Sequence, residues 1–236
     1  MDRTVKVEYI GSPKGIMSGA TRFTTNPKEL LIAEMAANVI EASGRFKNGF
    51  SFQMGSGGAS LATCRFLREK MLAQNIKASF ALGGITGSVV KLHEEGLVKK
   101  LLDVQSFDLD AAESLKNNRF HQQISASYYA SPNNEGTAVN QLDVVILSAL
   151  EIDEKFNVNV LTGSDGVFRG AIGGHCDTAK GASVSIVVAP LTRGRIPTIV
   201  KKVGTVVTPG DTVDIVVTDQ GVAVNPRKPK LTQRLK

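Results

Sequence analysis

The chain has 236 residues, of which 42% are apolar and 21% charged, with a formal net charge of +6. That balance suits one large α/β domain or two small ones with a sizeable core, and the absence of Trp argues against an aromatic platform for single-stranded nucleic acid. No apolar segment approaches a membrane span, the opening MDRTVKVEY lacks a signal-peptide core, and two cysteines without metal-ligand spacing suit a reducing compartment. The expectation is a soluble cytoplasmic protein.

In chain order, residues 1–25 read as a polar, partly irregular lead-in. Asn26, Pro27 and Glu29 then signal a helix start, as cap, first helical residue and capping partner. Ile32, Met35, Ala36, Val39 and Ile40 repeat at helical spacing, and Gly44 is a natural stop. Phe50, Phe52 and Met54 alternate with polar residues as a short strand that runs into Gly55-Ser56-Gly57-Gly58. A second helix is expected over residues 59–73. A strand over 77–82 leads into a glycine turn, Gly83-Gly84-Ile85-Thr86-Gly87, and a helix over 88–95 that stops at Gly96. Residues 97–104 read as a strand and 110–117 as a short helix opened by Asp110 and Glu113.

Residues 143–150 (DVVILSAL) are a nearly continuous apolar run, the mark of a strand buried on both faces. Further strands are expected over 184–189, 198–207 and 213–218, with Thr208-Pro209-Gly210-Asp211 as the turn between the last two. Strands alternating with helices predict an α/β fold with a mostly parallel open sheet flanked by helices, over residues 26–225. Residues 226–236 form a basic tail with five positive charges and no negative ones, read as a solvated end rather than a nucleic-acid arm.

Chemistry concentrates in residues 161–182, LTGSDGVFRGAIGGHCDTAKGA. Five glycines (163, 166, 170, 173 and 174) fall within twelve residues. Glycine costs backbone entropy and buries no side chain, so this density implies close approach of backbone to a ligand or positive φ. In an extended segment His175 and Asp177 would point to one side and could orient an oxyanion or carboxylate. Cys176 reads as a small buried residue rather than a nucleophile, and the other histidines, 93 and 121, do not complete a metal set with it.

Gly55, Gly57 and Gly58 lie between a strand and a helix, where backbone amides can receive an anion. Gly83 and Gly84 occupy the equivalent place one strand later, and two such turns could line one crevice. The stretch is neither a Walker loop nor a complete dinucleotide fingerprint. Glu135, beside a Pro-Asn-Asn turn, is a possible carboxylate nucleophile on what reads as an ordinary surface turn. Arg169, Arg193 and Arg195 could bind a polycarboxylate through paired hydrogen bonds.

The run DVVILSALEIDEKFNVNVLTGSDGVFRGAIGGHCDTAKGA, with SIVVAPLTRGRIPTIV, VDIVVTDQGVAVNP, FQMGSGGASLA and ALGGITG, resembles the citrate lyase α-subunit family, the citrate CoA-transferases. More loosely, its loops are similar to those in the second half of family I CoA-transferases. The resemblance implies an open α/β sheet of the CoA-transferase (NagB/RpiA-like) type. It also implies exchange of acetyl for citryl on an acyl carrier protein, giving citryl carrier and acetate. The thiol would belong to a dephospho-CoA-derived prosthetic group on that carrier, and a separate β subunit would cleave the citryl thioester. Citrate's carboxylate would attack the acetyl thioester directly, through a mixed anhydride.

On that basis His175, Asp177 and Asp165 are the candidate catalytic residues. Gly55, Gly57, Gly58, Gly83, Gly84, Gly173 and Gly174 are expected to approach the thioester arm, and Arg169, Arg193 and Arg195 the citrate. No metal is expected on this chain, and its partners would be the β and acyl carrier subunits in a hetero-oligomer. The family's α subunits are roughly twice this length, in two similar halves, and this chain corresponds to the second. It carries Gln123 where the family commonly has an acidic residue. The competing expectations are a CoA-transferase using Glu135 as a glutamyl nucleophile, a half-subunit that binds carrier without turnover, and, more distantly, a malonate decarboxylase α subunit.

Overall fold

Eight strands order the protein into three layers. A computed structural model describes residues 24–235, so all but the end of the expected lead-in lies outside the described residues. The helices are α1 (Pro27–Ala42), α2 (Gly58–Ala73), α3 (Gly87–Glu94), α4 (Leu109–Asn117), α5 (Ala126–Ala130), α6 (His175–Gly181) and α7 (Pro229–Arg234). The strands begin with β1 (Ser51–Gln53), β2 (Phe80–Ile85), β3 (Leu101–Ser106), β4 (His121–Gln123), β5 (Val144–Ser148), β6 (Glu151–Asp153) and β7 (Val158–Asn159). They continue with β8 (Val184–Val188), β9 (Thr192–Arg193), β10 (Ile196–Pro197), β11 (Ile199–Val200), β12 (Ile215–Thr218) and β13 (Gly221–Val224).

The main sheet runs β13-β12-β8-β5-β1-β2-β3-β4, parallel throughout except for the β12–β13 hairpin. The chain moves outward from β1 through β2, β3 and β4, then returns to place β5 on the other side of β1. The strand order therefore reverses between β1 and β5. Open α/β sheets form a ligand crevice at the carboxyl ends of such a pair.

Alternation along the strands assigns the two cores. Val144, Ile146, Ile186, Ile215 and Val217 join Phe50 and Phe52 beneath α1–α4. Val145, Leu147, Val187 and Val216 face the opposite layer, with Tyr129 of α5 and Ala179 of α6. With both faces covered, even Ser51 and Gln53 of β1 are buried, so the alternation in β1 separates two buried faces rather than core from water. At the amino ends of the strands two reciprocal clamps repeat one design. The Asp143 carboxylate accepts from Ser51 N–H at 3.0 Å while Asp143 N–H donates to Ser51 Oγ at 2.9 Å. Asp214 and Ser185 do the same across β8 and β12, at 2.8 and 3.0 Å.

Several elements depart from the sequence expectation. Asn26 caps α1 by accepting from Lys28 N–H, and Gly44 follows the helix at φ +79°, as expected. Gly83 and Gly84 are not a turn: β2 continues through them with a bulge. Their role is close packing, because a Cβ at Gly83 would strike the Gln53 side chain and one at Gly84 the Phe107 ring. β3 starts at Leu101, after an isolated bridge between Ala78 and Val98. α4 is capped by Asp108, which also accepts from Gly87 N–H at the start of α3, rather than opened at Asp110.

Within 198–207 only Ile199–Val200 is strand, paired with β6 rather than with the main sheet. The small β11-β6-β7 sheet was not anticipated. The basic tail is docked: α7 packs Leu231 and Leu235 against the first core, Arg234 donates to the Ser43 carbonyl, and Lys228 pairs with Asp214 at 2.7 Å.

Candidate functional site

The glycine turn over residues 55–58, the end of β5 and the start of α6 meet at the β1–β5 reversal. That turn is closed by Ser60 Oγ, which accepts from Gly55 N–H at 2.8 Å. That leaves the amides of Gly58 and Ala59 in the first turn of α2 without intrahelical acceptors. A Cβ at Gly57 would lie 2.5 Å from Ser148 Oγ, and one at Gly58 would collide with the Glu29 carboxylate. Glycine at both positions therefore leaves a slot between a hydroxyl and a carboxylate.

His175 opens α6 instead of lying in an extended segment, because the Gly173-Gly174 pair turns the chain into a helix with Gly174 as its N-cap. Residues two apart on a helix diverge, so His175 and Asp177 do not share a face as expected. His175 points inward and is buried. Its Nε2 lies 2.9 Å from the Ser148 carbonyl and its Nδ1 2.6 Å from Thr208 Oγ1. Since the Ser148 carbonyl can only accept, Nε2 carries the proton and Nδ1 accepts from Thr208. Burial pushes the imidazole pKa below its usual value, with the Ser148 carbonyl opposing, so the ring is a neutral pin.

Asp177 lies on the side of α6 facing α5, near Tyr129. The Tyr129 hydroxyl is 2.9 Å from Gln53 Nε2 and blocks any side chain at Gly174. Burial, reinforced by the Asp177 charge, pushes that hydroxyl up to about 12. Gln53 in turn packs on Gly83. Gly57, Gly83 and Gly174 are thus linked through Ser148, His175, Tyr129 and Gln53. Gly55 serves the turn, Gly84 packs against Phe107, and Gly173 adopts φ +51° in open space.

Asp165 and Arg169 pair with each other on the exposed loop, at 2.5 and 2.6 Å, and the arginine holds the carboxyl well below the usual range. Arg193 reaches back to the Leu150 carbonyl at 2.5 Å, and its Nε is buried without a partner. With Lys28, Glu29 and Thr192 it lines a cavity of about 600 Å³ beside the slot. Arg195 is exposed at the β9–β10 turn. A larger groove of about 720 Å³ between α3 and α4 contains none of these residues. Glu135 is exposed on its turn and hydrogen-bonds to no crevice residue. Among the described residues there is no cluster of His, Cys, Asp and Glu that could hold a metal ion.

Three participants were missed from sequence. Glu151, buried on β6, accepts from Ser164 Oγ and from Asn159 Nδ2 at 3.2 Å, anchoring the start of the glycine loop. Ser148 is hidden in an apolar run and Glu29 passed as a capping partner. Only the acidic residues at the two ends of β6 offered a signal, since Glu151 and Asp153 interrupt apolar sequence.

A mostly parallel sheet with a strand-order reversal, glycine-lined at its carboxyl ends, defines an open α/β architecture with a ligand crevice. At the level of fold alone, an acyl-CoA transferase from Escherichia coli O157:H7 superposes with a TM-score of 0.52 at 18% identity, covering 85% of this chain and 37% of that one. A malonate decarboxylase α subunit from Acinetobacter baumannii gives 0.64 at 14%, covering 87% and 46%.

The family model for the citrate lyase alpha subunit (CitF) matches residues 1–236, and the chain belongs to that family. It is 66% identical over 235 residues to the citrate lyase alpha chain of Haemophilus influenzae, covering all of this chain and 47% of that one. A Streptococcus mutans crystal structure, described as a citrate lyase α subunit in complex with citrate, is 61% identical with a TM-score of 0.92, covering 97% of this chain and 45% of that one. The chain thus spans about half the length of the curated relatives it matches. Among the described residues no helix is long and apolar enough to cross a membrane.

Proposed function

We propose that this chain forms the second half of a citrate:acetyl-carrier transferase, exchanging acetyl for citryl on the thioester of an acyl carrier protein. The observation that carries this reading is the match to a citrate-bound relative at 61% identity over nearly the whole chain. The cavity beside Gly57 and Gly58 supports it. Citrate is a polyanion near neutral pH, and a buried guanidinium nitrogen of Arg193 without a partner, with Lys28 on the same wall, suits a carboxylate.

The chemistry fits the groups present. A citrate carboxylate adds to the acetyl thioester carbonyl, forming a C–O bond, and the collapse of that adduct breaks the C–S bond to release the carrier thiolate. The thiolate then adds to the citryl carbonyl of the mixed anhydride, and acetate leaves. Neither step requires a proton to be transferred by the enzyme. Such a reaction draws its rate from positioning and from donors aimed at each oxyanion, rather than from a strong base. A neutral buried His175 and the glycine amides of α2 belong to that kind of site.

The dephospho-CoA-derived arm is the carrier's and enters as substrate. The β and carrier subunits complete a cytoplasmic hetero-oligomer, in which Arg193 and Lys28 receive citrate and Asp177 flanks the arm. Mass spectrometry of acetyl-carrier incubated with citrate and the α subunit tests the reading: conversion to citryl-carrier is expected. A carrier that keeps its acetyl group in the presence of citrate and the full-length α subunit would overturn it. The same assay with malonate as acceptor, and hydroxylamine trapping at Glu135, covers the competing expectations.

A further inference from the structure

The geometry points to Ser148 as a further catalytic residue, its hydroxyl donating a hydrogen bond to the oxyanion formed at the acyl carbonyl. The inference rests on the transferase reading above and names a group within that site.

Four observations converge. Ser148 ends β5 at the strand-order reversal, and the alternation that sends Val144 and Ile146 beneath α2 sends its side chain to the same face. Its Oγ is half-buried and bonds to no described residue, in a fold where the other crevice side chains, Gln53, Tyr129 and His175, have partners. Gly57 keeps the space in front of it open, since any Cβ there would come within 2.5 Å of the hydroxyl. Finally, the Ser148 carbonyl is held by the His175 ring at 2.9 Å, and that ring is fixed by Thr208 at 2.6 Å. A solvated serine at a strand end has no need of a buried histidine to fix its backbone.

The hydroxyl's protonation state decides its role. His175 touches the Ser148 carbonyl and Thr208, not Ser148 Oγ, and among the described residues no base hydrogen-bonds to that hydroxyl to draw off its proton. Ser148 therefore remains a donor rather than a nucleophile. The reaction needs such a donor twice, once at the acetyl carbonyl and once at the citryl carbonyl, and in neither step does the serine lose its proton. His175 then acts as a positioning residue through Ser148.

The test is steady-state acetyl-for-citryl exchange by the full-length α subunit with its carrier, comparing wild type with Ser148→Ala and Gly57→Ala. Loss of one oxyanion donor predicts a fall in kcat on the order of 100-fold, with citrate KM within about twofold. Gly57→Ala, which displaces the hydroxyl without removing it, should reproduce the kcat loss. Carrier affinity and the urea midpoint of Ser148→Ala should match wild type, since no hydrogen bond to a described residue is removed. An active wild type with a folded Ser148→Ala variant of undiminished kcat would overturn the inference and leave the transferase reading standing. So would a variant altered only in KM. An inactive wild type would instead remove the transferase reading itself.

Discussion

Replacing His175 with Ala tests whether this residue is a structural pin at the crevice. The substitution leaves the Ser148 carbonyl and the Thr208 hydroxyl facing a buried gap. Stranding a buried polar group costs about 1–3 kcal/mol, so two partners and the lost ring contacts give a destabilisation of about 3 kcal/mol. For a chain of this size that corresponds to a melting point lowered by about 6–12 °C. The pH dependence adds a second signature. Burial sets the folded-state pKa below the unfolded value of 6.5. The unfolded chain therefore binds the proton first as pH drops. This contribution is complete above the unfolded pKa and is lost as pH falls through the window beneath it, with a slope of at most about 1.4 kcal/mol per pH unit. Urea titrations of the 236-residue chain followed by circular dichroism, at pH 7.5 and at intervals below 6.5, should show wild type weakening more steeply than His175→Ala. Equal slopes, or a variant within about 0.5 kcal/mol of wild type at pH 7.5, would refute the pin.

Three further outcomes follow from the packing and exposure of single residues. Gly210→Ala drives a Cβ into the Lys155 carbonyl and the Phe156–Asn157 peptide, so expression should yield little folded protein by analytical gel filtration. Cys64 is buried and its thiol is pushed up to about 12, so iodoacetamide at pH 7.5 should leave it unlabelled until urea unfolds the chain, as peptide mass spectrometry would show. Asp165→Asn breaks a solvent-exposed ion pair and should leave the urea midpoint essentially unchanged.

The sequence showed α1 in full because the Asn26 cap, Pro27 and Gly44 are local signals that act without tertiary help. The apolar runs of β5 and β8 were equally plain, since a strand buried on both faces needs no polar alternation. Gly83 and Gly84 misled because glycine punctuates chains more often than it relieves crowding, and their neighbours, Gln53 and Phe107, come from other strands and loops. The strands β6, β7 and β11 have two or three residues each, too short to show a period, and β11 finds β6 across distant sequence that no local window contains. At the site, the turn over residues 55–58 was visible as a glycine turn. What faces it was not, because Ser148 sits in an apolar run and Glu29 in a helix start. His175 was visible, yet its helical setting depends on Gly174 packing against Tyr129 of α5, a tertiary event.

The paired Asp–Ser clamps carry a consequence at the opposite end of the sheet. Asp143 and Ser148 stand five residues apart on one strand, about 16 Å of extended chain. If β5 slid by one residue against β1, Ser148 would move by about 3.3 Å and exchange faces, taking its hydroxyl away from Gly57 altogether. The bonds that forbid this slide lie at the far margin, where Ser51 and Asp143 grip each other. Positional tolerance at the crevice is thus set by a lock that never meets the substrate. A lesion at Asp143 would register as a misplaced hydroxyl before it registered as an unfolded protein.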